Sequence, residues 1–419
     1  MTNDRCSCLS SSILKEIISN EGIVVQFQSI LSARNHSIIG FEGLIRGVTG
    51  NRDLIPPSFL FDAAREQGVC LEFDRLCREK VLAAFSSPHL FKRNNLLFLN
   101  LETSFLAPAV VGSGYLLNQV ERQKIPPANI VIEIVESDTE DTGALIRFVK
   151  SYRECGFNIA LDDVGTGHSN FDRISLLRPD IIKIDRSIIS GIATDYFKQE
   201  IFKSLAKLSK GIGSLILAEG VETKEESLCC IEYGADLLQG YFFSRPIDPG
   251  LLGSHEEEKK IGELLSVSRA NRIDIVKARR LKNKQYQRTV RGIIGQIQGK
   301  SLGEIERLLK EIIDSSDRID ALYIINDEGI QVTDTIMKKS GNQRLNPVFR
   351  AARRYENLSH KDYVYQLINT DLKKYTTERY ISFATGNLCV TLSHLFKGDK
   401  KNLYILCTDF LVDGTEIPA

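Results

Sequence analysis

The 419-residue sequence lacks a net charge, tryptophan and any long apolar run. Its 54 basic side chains balance 54 acidic ones, so no overall field attracts nucleic acid or an anionic membrane, and an anionic ligand must be captured locally. The absence of an export signal and of 18 consecutive apolar residues indicates a cytoplasmic protein without a membrane span. Nine scattered cysteines without a CxxC pair indicate reduced thiols rather than a zinc site.

The length exceeds that of a usual single domain, which predicts at least two domains. In the first 250 residues, short apolar segments alternate with longer amphipathic ones, which is typical of a TIM-type (β/α)8 barrel. The predicted strands cover residues 23–30, 38–45, 96–101, 130–135, 157–161, 181–184, 214–218 and 237–243. The link between the first two is too short for a crossover helix and predicts a hairpin. One barrel strand should therefore be antiparallel.

The remaining sequence predicts a helix followed by a smaller domain. Pro, Asp and Gly residues at 246–253 mark the end of the barrel. A charged, proline-free stretch with apolar residues at helical spacing then continues to about residue 313. Later strand-like segments at 321–325, 330–333, 380–384, 389–392 and 403–407 predict an α+β fold. We expect an N-terminal extension (1–19), a barrel (20–250), a helical linker (251–310) and a sensor or dimerisation domain (311–415).

Acidic or amide side chains end several of the predicted barrel strands. They are Glu42, Asn100, Glu133, Asp162, Asp163, Asp185 and Glu219. In a parallel barrel these positions meet at the mouth, where the fold places its chemistry. Clustered carboxylates raise one another's pKa values, whereas divalent cations neutralise them, and oxygen ligands without His or Cys favour Mg²⁺ or Mn²⁺. A single acid could equally cap the next helix, but the whole set predicts a metal site.

Seven short motifs occur in the order found in one enzyme family. They are Glu42-Gly43-Leu44-Ile45-Arg46, Leu99-Asn100, Ile132-Glu133-Ile134-Val135-Glu136, Asp162-Asp163-Val164-Gly165-Thr166-Gly167, Lys183-Ile184-Asp185, Ala218-Glu219-Gly220-Val221-Glu222-Thr223 and Gln239-Gly240-Tyr241. Over roughly residues 20–248 the sequence resembles the EAL-domain family of cyclic di-GMP phosphodiesterases. The resemblance implies hydrolysis of cyclic di-GMP to linear pGpG with two Mg²⁺ or Mn²⁺ ions, in a homodimer.

The resemblance also assigns roles to individual residues. The implied metal ligands are Glu42, Asn100, Glu133 and Asp162, with Asp163 and Glu219 at the second metal. Lys183 is implied to position or deprotonate the attacking water, and Glu42 and Glu219 are implied to take part in catalysis. The implied substrate contacts are Gln28, Arg46, Asp185 and Gln239. Glu222 is implied to anchor the glycine-containing loop at residues 163–170.

Two alternative functions use the same residues. A receptor that binds cyclic di-GMP without turnover is compatible with the changed loop, in which Val164 and His168 replace aromatic residues common in the family. A glycoside hydrolase also uses paired carboxylates at a barrel mouth. The absence of tryptophan and the surplus of carboxylates argue against sugar binding. The presence of Lys183 and of the implied metal ligands favours the phosphodiesterase.

The C-terminal region resembles the PAS-like or Cache-like sensor domains that are fused to some EAL proteins. Asn326-Asp327-Glu328-Gly329 predicts a tight turn, and residues 331–334 should follow it as an exposed strand. The resemblance covers about residues 310–415 and implies regulation of the barrel through dimer geometry. An appendage that only dimerises is an equally open interpretation.

Overall fold

The chain forms two compact units, which divide between Ala270 and Asn271. The structure is a computed structural model. It describes residues 13–50, 53–87, 90, 95–102, 114–134, 141–166, 170–252, 255–337, 350–399 and 402–412.

The first unit is an eight-stranded barrel with one additional strand. Its strands are β1 (Ile23–Ser32), β2 (Ser37–Val48), β3 (Leu54–Ile55), β4 (Leu96–Leu101), β5 (Ile130–Ile134), β6 (Asn158–Val164), β7 (Ile181–Ile184), β8 (Leu215–Ala218) and β9 (Leu237–Leu238). The order β1-β9-β8-β7-β6-β5-β4-β2 is closed into a ring by pairing of β1 with β2, and β3 extends beyond β2. The predicted TIM-type barrel is confirmed.

Strand β1 is antiparallel to both of its neighbours, β2 and β9. The pairings that lead from β2 round the ring to β9 are parallel. The predicted hairpin and the antiparallel strand are therefore confirmed. The hairpin register places Gln28 of β1 directly opposite Glu42 of β2. The two side chains are therefore neighbours on the same face of the sheet.

Helices connect the barrel strands and supply most of the core that surrounds the ring. They are α1 (residues 13–19), α2 (Pro57–Gln67), α3 (Cys70–Phe85), α4 (Tyr115–Arg122), α5 (Thr142–Glu154), α6 (Asn170–Leu177), α7 (Arg186–Ile189), α8 (Tyr196–Ile212) and α9 (Lys224–Tyr233), with 3-10 turns at Pro127–Asn129 and Pro249–Leu251. Leu14 and Ile17 of α1 are fully buried in this core, so the helix packs as part of the barrel unit.

The second unit contains a six-stranded antiparallel sheet. Its strands are β10 (Ile319–Asn326), β11 (Ile336–Met337), β12 (Lys374–Thr376), β13 (Tyr380–Ile381), β14 (Leu388–Lys397) and β15 (Leu403–Leu411). The order is β11-β10-β15-β14-β12, with β13 also paired to β14. The helices are α10 (His255–Ile297), which begins in the first unit, α11 (Leu302–Asp314) and α12 (Asp362–Asn369). The smaller α+β domain is thus confirmed, while its PAS-like or Cache-like character stays a prediction.

Two strands predicted from the sequence differ from the structure. The strand predicted at 237–243 ends at Leu238, because Gly240 has φ +156° and lies so close to the backbone of Val221 that a Cβ atom would overlap it. Residues 330–333 make only isolated bridges, and Gln331 is buried rather than exposed. The predicted turn before them is present, because the Asn326 side chain accepts hydrogen bonds from the amides of Glu328 and Ile330.

The apolar stripe at the start of α10 packs onto the barrel unit itself. Ile261 and Leu264 are buried in the barrel core, and Leu265 packs against it. This stripe therefore contributes to the core of the barrel unit. Within the described ranges, every helix is too short or too polar to span a bilayer.

Candidate active site

Alternation along the barrel strands places the predicted site residues in one layer. Side chains two residues apart on a strand point to the same side. A layer of apolar residues forms a separate buried cluster, and it comprises Ile30, Phe98, Val131, Ala160, Ile181, Leu217 and Leu237. Two positions towards the mouth from these residues lie Gln28, Asn100, Glu133, Asp162, Lys183, Glu219 and Gln239. The barrel core thus supports a polar layer directly above it.

Lys183 lies at the centre of this polar layer and is completely buried. Its ammonium nitrogen is 2.7 Å from Glu133 Oε1 and 3.0 Å from Asp162 Oδ2. The nearest oxygens of Glu219 and Glu42 are 3.4 Å and 3.9 Å from the same nitrogen. One positive charge is therefore shared by carboxylates from strands β2, β5 and β6 and from the end of β8. The prediction that Lys183 is a buried strand residue is confirmed.

Amide side chains hold the Glu42 carboxylate in place. Asn100 Nδ2 donates to Glu42 Oε1 at 2.9 Å, and Gln239 Nε2 donates to Glu42 Oε2. The same Gln239 amide lies 3.1 Å from Oε1 of Gln28, whose own amide donates to the Ser244 carbonyl at 2.9 Å. Gln28, Glu42, Asn100 and Gln239 thus form one hydrogen-bonded chain across the closure of the barrel.

Burial and mutual repulsion raise the pKa values of the clustered carboxyls. Burial raises the pKa of Glu133 well above its usual range, and the neighbouring Glu42 adds to this in spite of Lys183. Burial also raises the pKa of Glu219 to about 8 and, with the Asp162 charge, that of Asp163 to about 6. Burial lowers the pKa of Lys183, but the carboxylates of Asp162 and Glu133 outweigh this and raise it well above its usual value.

The donor set of this layer fits divalent cations. Five carboxylates (Glu42, Glu133, Asp162, Asp163 and Glu219) surround one ammonium, so the fully ionised cluster has a formal charge of about −4, which two divalent cations would neutralise. Oε2 of Glu133 is buried without a hydrogen-bond partner among the described residues. Within the described ranges, no group of three or more acidic, His or Cys side chains is already arranged to hold a metal ion.

Other predicted site residues have partners of their own. Asp163 adopts φ +57°, a conformation that is uncommon outside glycine, and its amide donates to Asp162 Oδ1 at 2.9 Å. Asp185 caps helix α7 by accepting from the Ser187 amide at 2.8 Å. Strand alternation puts Arg46 on the same side of β2 as Glu42, and its guanidinium donates to the Ile45 carbonyl.

The predicted loop anchor, Glu222, pairs with Arg186 at 2.9 Å among the described residues. Gly167 and His168 of the glycine-containing loop, and Val135 and Glu136 of an earlier motif, lie outside the described residues. The anchoring role of Glu222 therefore stays a prediction. Arg186 was not anticipated from the sequence.

Sequence reasoning also missed Glu226, which orders the backbone of the segment after Glu219. Its carboxylate accepts hydrogen bonds from the amides of Gly191, Glu222 and Thr223. Together with Thr223 it forms a capping box at the start of α9. A threonine followed three residues later by a glutamate is the known sequence signal for this motif and would have identified it.

A cavity of about 380 Å³ lies between strands β2 and β4 and helices α2 and α3, and Asn100 is among its lining residues. Its apolar lining includes Leu44 and Phe61, and its charged lining includes Asp74 and Arg78. These two charged residues form a buried ion pair within α3. The volume lies in the range of small-molecule sites.

Residues 11–246 match the EAL domain family, which is more than half of the chain. The chain belongs to the EAL domain family. The protein YkuI of Bacillus subtilis, described as an uncharacterised EAL-domain protein, is 26% identical over 396 residues, which cover 90% of this chain and 93% of YkuI. The probable cyclic di-GMP phosphodiesterase PdeD of Escherichia coli is 28% identical over 227 residues, which cover 52% of this chain.

The curated relatives differ in how much of their own length is matched. The matched segment is 41% of PdeD and 30% of YkoW, a signalling protein of Bacillus subtilis that is 29% identical over 243 residues. The crystal structure of YkuI in complex with substrate c-di-GMP and calcium resembles this chain with a TM-score of 0.78 at 22% identity. It covers 96% of this chain and 99% of YkuI. The EAL protein therefore shares its fold with YkuI beyond the barrel and into the C-terminal unit.

Proposed function

We propose that this EAL protein hydrolyses cyclic di-GMP to linear pGpG with two divalent cations, Mg²⁺ or Mn²⁺. The observation that carries the proposal is the position of Lys183, which is fully buried within 3.9 Å of four carboxylates at the mouth of the barrel. Burying so much charge is unfavourable for stability and is characteristic of sites that perform chemistry. The curated relatives that are named as probable cyclic di-GMP phosphodiesterases support the choice of substrate.

Each residue of the polar layer has a part in the proposed reaction. Bound divalent cations would supply a hydroxide at neutral pH and would stabilise the oxygens of an in-line displacement at phosphorus. Glu42, Asn100, Glu133 and Asp162 would hold one cation, and Asp163 and Glu219 would complete the site of the second. The neighbouring carboxylates raise the pKa of Lys183 in the metal-free site, and its ammonium would orient the attacking water by donating a hydrogen bond.

The substrate would bind across the ring closure and next to the cavity. Gln28 and Gln239 are already hydrogen bonded to each other there, and their amides can exchange this bond for bonds to the ligand. The guanidinium of Arg46 can donate two parallel hydrogen bonds to a phosphate. Asp185 is engaged in capping α7, so contact with the substrate would use its second carboxylate oxygen.

The test is to incubate the purified protein with cyclic di-GMP and Mg²⁺ or Mn²⁺ and to separate the products by chromatography. A Glu42→Gln variant keeps the size of the side chain but loses a metal-binding oxygen. Glu121→Gln, an exposed change on α4, is the matched control. We expect metal-dependent pGpG from the wild type and from the control, and none from Glu42→Gln. Tight binding without product would make the protein a receptor instead.

We also propose that the protein is a homodimer. Helix α8 exposes Phe197 and Ile201, which are four residues apart and therefore share one face, and α6 exposes Phe171 and Leu176. Large exposed apolar side chains of this kind are typical of interaction surfaces. In sedimentation velocity, Phe197→Ser combined with Ile201→Ser should produce a monomer. Retention of the wild-type mass by this variant would exclude this surface.

We propose further that the C-terminal unit regulates the barrel. Helix α10 is continuous between the barrel core, which contains Ile261 and Leu264, and the core of the second unit, which contains Tyr286 and Val290. A change in the second unit therefore has a continuous helical connection to the first. Deletion of residues 271–419 should change the turnover number or the oligomeric state. Unchanged values for both would leave the unit without a regulatory role.

A further inference from the structure

The balanced total charge of the chain conceals an uneven distribution. Residues 1–270 contain 29 basic and 36 acidic side chains, whereas residues 271–419 contain 25 basic and 18 acidic ones. The positive excess of the second region is concentrated in residues 277–291, which contain seven Lys and Arg and no Asp or Glu. This basic segment lies entirely on helix α10. Fifteen residues therefore account for the whole excess, and charge asymmetry of this kind indicates an anionic partner.

The basic segment is turned to solvent. Its exposed members are Lys277, Arg279, Arg280, Lys284, Arg288 and Arg291. Lys277 pairs with Asp274 at 3.3 Å, but both side chains are more than 70% exposed, so this pair contributes little. The five exposed arginines and lysines that follow Lys277 make no ion pair within the described residues. Their charge is consequently available to a partner.

The exposed charges share a face of the helix with aliphatic side chains. Ile273, Lys277, Arg280, Lys284, Arg288 and Arg291 succeed one another at intervals of three or four residues, which places them along one stripe. Val276 lies beside this stripe, three residues after Ile273. The exposed fractions of Ile273, Val276 and Leu281 are 50%, 48% and 61%. A different face, with Tyr286, Val290 and Ile293, packs into the core of the second unit.

We propose that this stripe binds the surface of an anionic phospholipid bilayer. A second copy of the same stripe would bring basic residues against each other, which is unfavourable. A nucleic acid would neutralise the charges but would leave the three aliphatic side chains in water. A bilayer accommodates both, because Lys and Arg reach the headgroups while short aliphatic side chains enter the boundary of the acyl region. The helix would lie along the surface rather than cross it.

The first test is co-sedimentation of the full-length protein with vesicles of phosphatidylglycerol and phosphatidylcholine, and with vesicles of phosphatidylcholine alone. A variant that combines Arg280→Gln, Lys284→Gln and Arg288→Gln should bind the anionic vesicles roughly a hundredfold more weakly, since each basic residue near such a surface contributes about fivefold. The matched control removes three charges at exposed positions of α5 and α8, through Lys150→Gln, Lys207→Gln and Lys210→Gln, and should bind normally. Equal binding by the triple variant and the control would overturn the proposal.

The second test separates a bilayer from other polyanions. Because the sequence contains no tryptophan, a Leu281→Trp variant carries a single fluorescent reporter in the basic segment. Its emission should shift to shorter wavelength with the anionic vesicles and stay unchanged with a duplex oligonucleotide. Binding to the duplex with no response to vesicles would show a nucleic-acid surface and would refute the bilayer proposal. The proposal would also be refuted if vesicle binding were lost completely at about 1 M salt and the emission were unshifted at low salt. The protein would then adsorb to the vesicles through charge alone.

Discussion

Replacement of Lys183 by methionine should destabilise the barrel more than any other change of a lysine. Methionine fills a similar volume but has no charge. The lysine is completely buried, and its nitrogen lies 2.7 Å and 3.0 Å from the oxygens of Glu133 and Asp162. Removal of one partner from a buried ion pair costs about 3–5 kcal/mol, because the opposite charges stay buried without compensation. For a unit of this size that free energy corresponds to a decrease in Tm of roughly 10 °C.

The assay is thermal unfolding followed by circular dichroism in a chelating buffer at about pH 8, where the carboxylates are most ionised. Lys207→Met, at an exposed position of α8, is the control and should unfold like the wild type. The difference between Lys183→Met and the control should be smaller near pH 5, because Glu219, with a pKa of about 8, is then protonated and interacts less with the ammonium. An unchanged Tm for Lys183→Met at pH 8 would refute the reasoning that this ammonium compensates the cluster.

Three further predictions concern single features. The wild type without metal should lose stability as the pH rises through about 6 and then about 8. The reason is that the folded-state pKa values of Asp163 and Glu219 are raised to these levels, so that the folded protein favours their protonated forms. Denaturant titrations across this pH range, with and without Mg²⁺, would show the loss of stability and its reversal by the metal. Gly240→Ala should cost about 2–4 kcal/mol in the same titration, because its Cβ atom would overlap the backbone of Val221; a cost near zero would contradict the close approach. Thr223→Ala should cost about 1 kcal/mol through loss of the capping box of α9, whereas Thr223→Ser should preserve it.

The barrel and its polar layer could be predicted because their signals are local. The apolar strand at 181–184 contains a single lysine. A charged residue inside such a buried strand is expected to point into a functional site, where other charged groups compensate it. The link after β1 is too short for a crossover helix, so its length alone predicted a hairpin. Family motifs then identified the residues that the structure gathers around Lys183. The motifs did not predict how these side chains are arranged, with the Lys183 ammonium at the centre of the carboxylates.

The features that sequence reasoning missed depend on contacts between distant residues. Gln331 looked like an exposed strand residue, but its amide donates to the carbonyl of Ala352, 21 positions later. No local pattern of polar and apolar residues reveals such a bond. Asp185 could cap α7 or contact a ligand, and only the geometry shows that it accepts from Ser187. The basic segment of α10 was hidden for another reason, since the balanced total charge averages over two regions of opposite sign.

The pairing of β1 with β9 determines when the barrel can be completed during folding. Strand β1 pairs with β2 nearby in sequence, but it meets β9 through Leu31 and Leu238, about two hundred residues apart. Pairing over that distance is slow because of the chain entropy it consumes, so the ring should close late. The hydrogen bonds from Gln239 to Gln28 and Glu42 cross this seam. Under the proposed function, cyclic di-GMP would bind only the closed ring and would therefore stabilise the β1–β9 pairing that forms last.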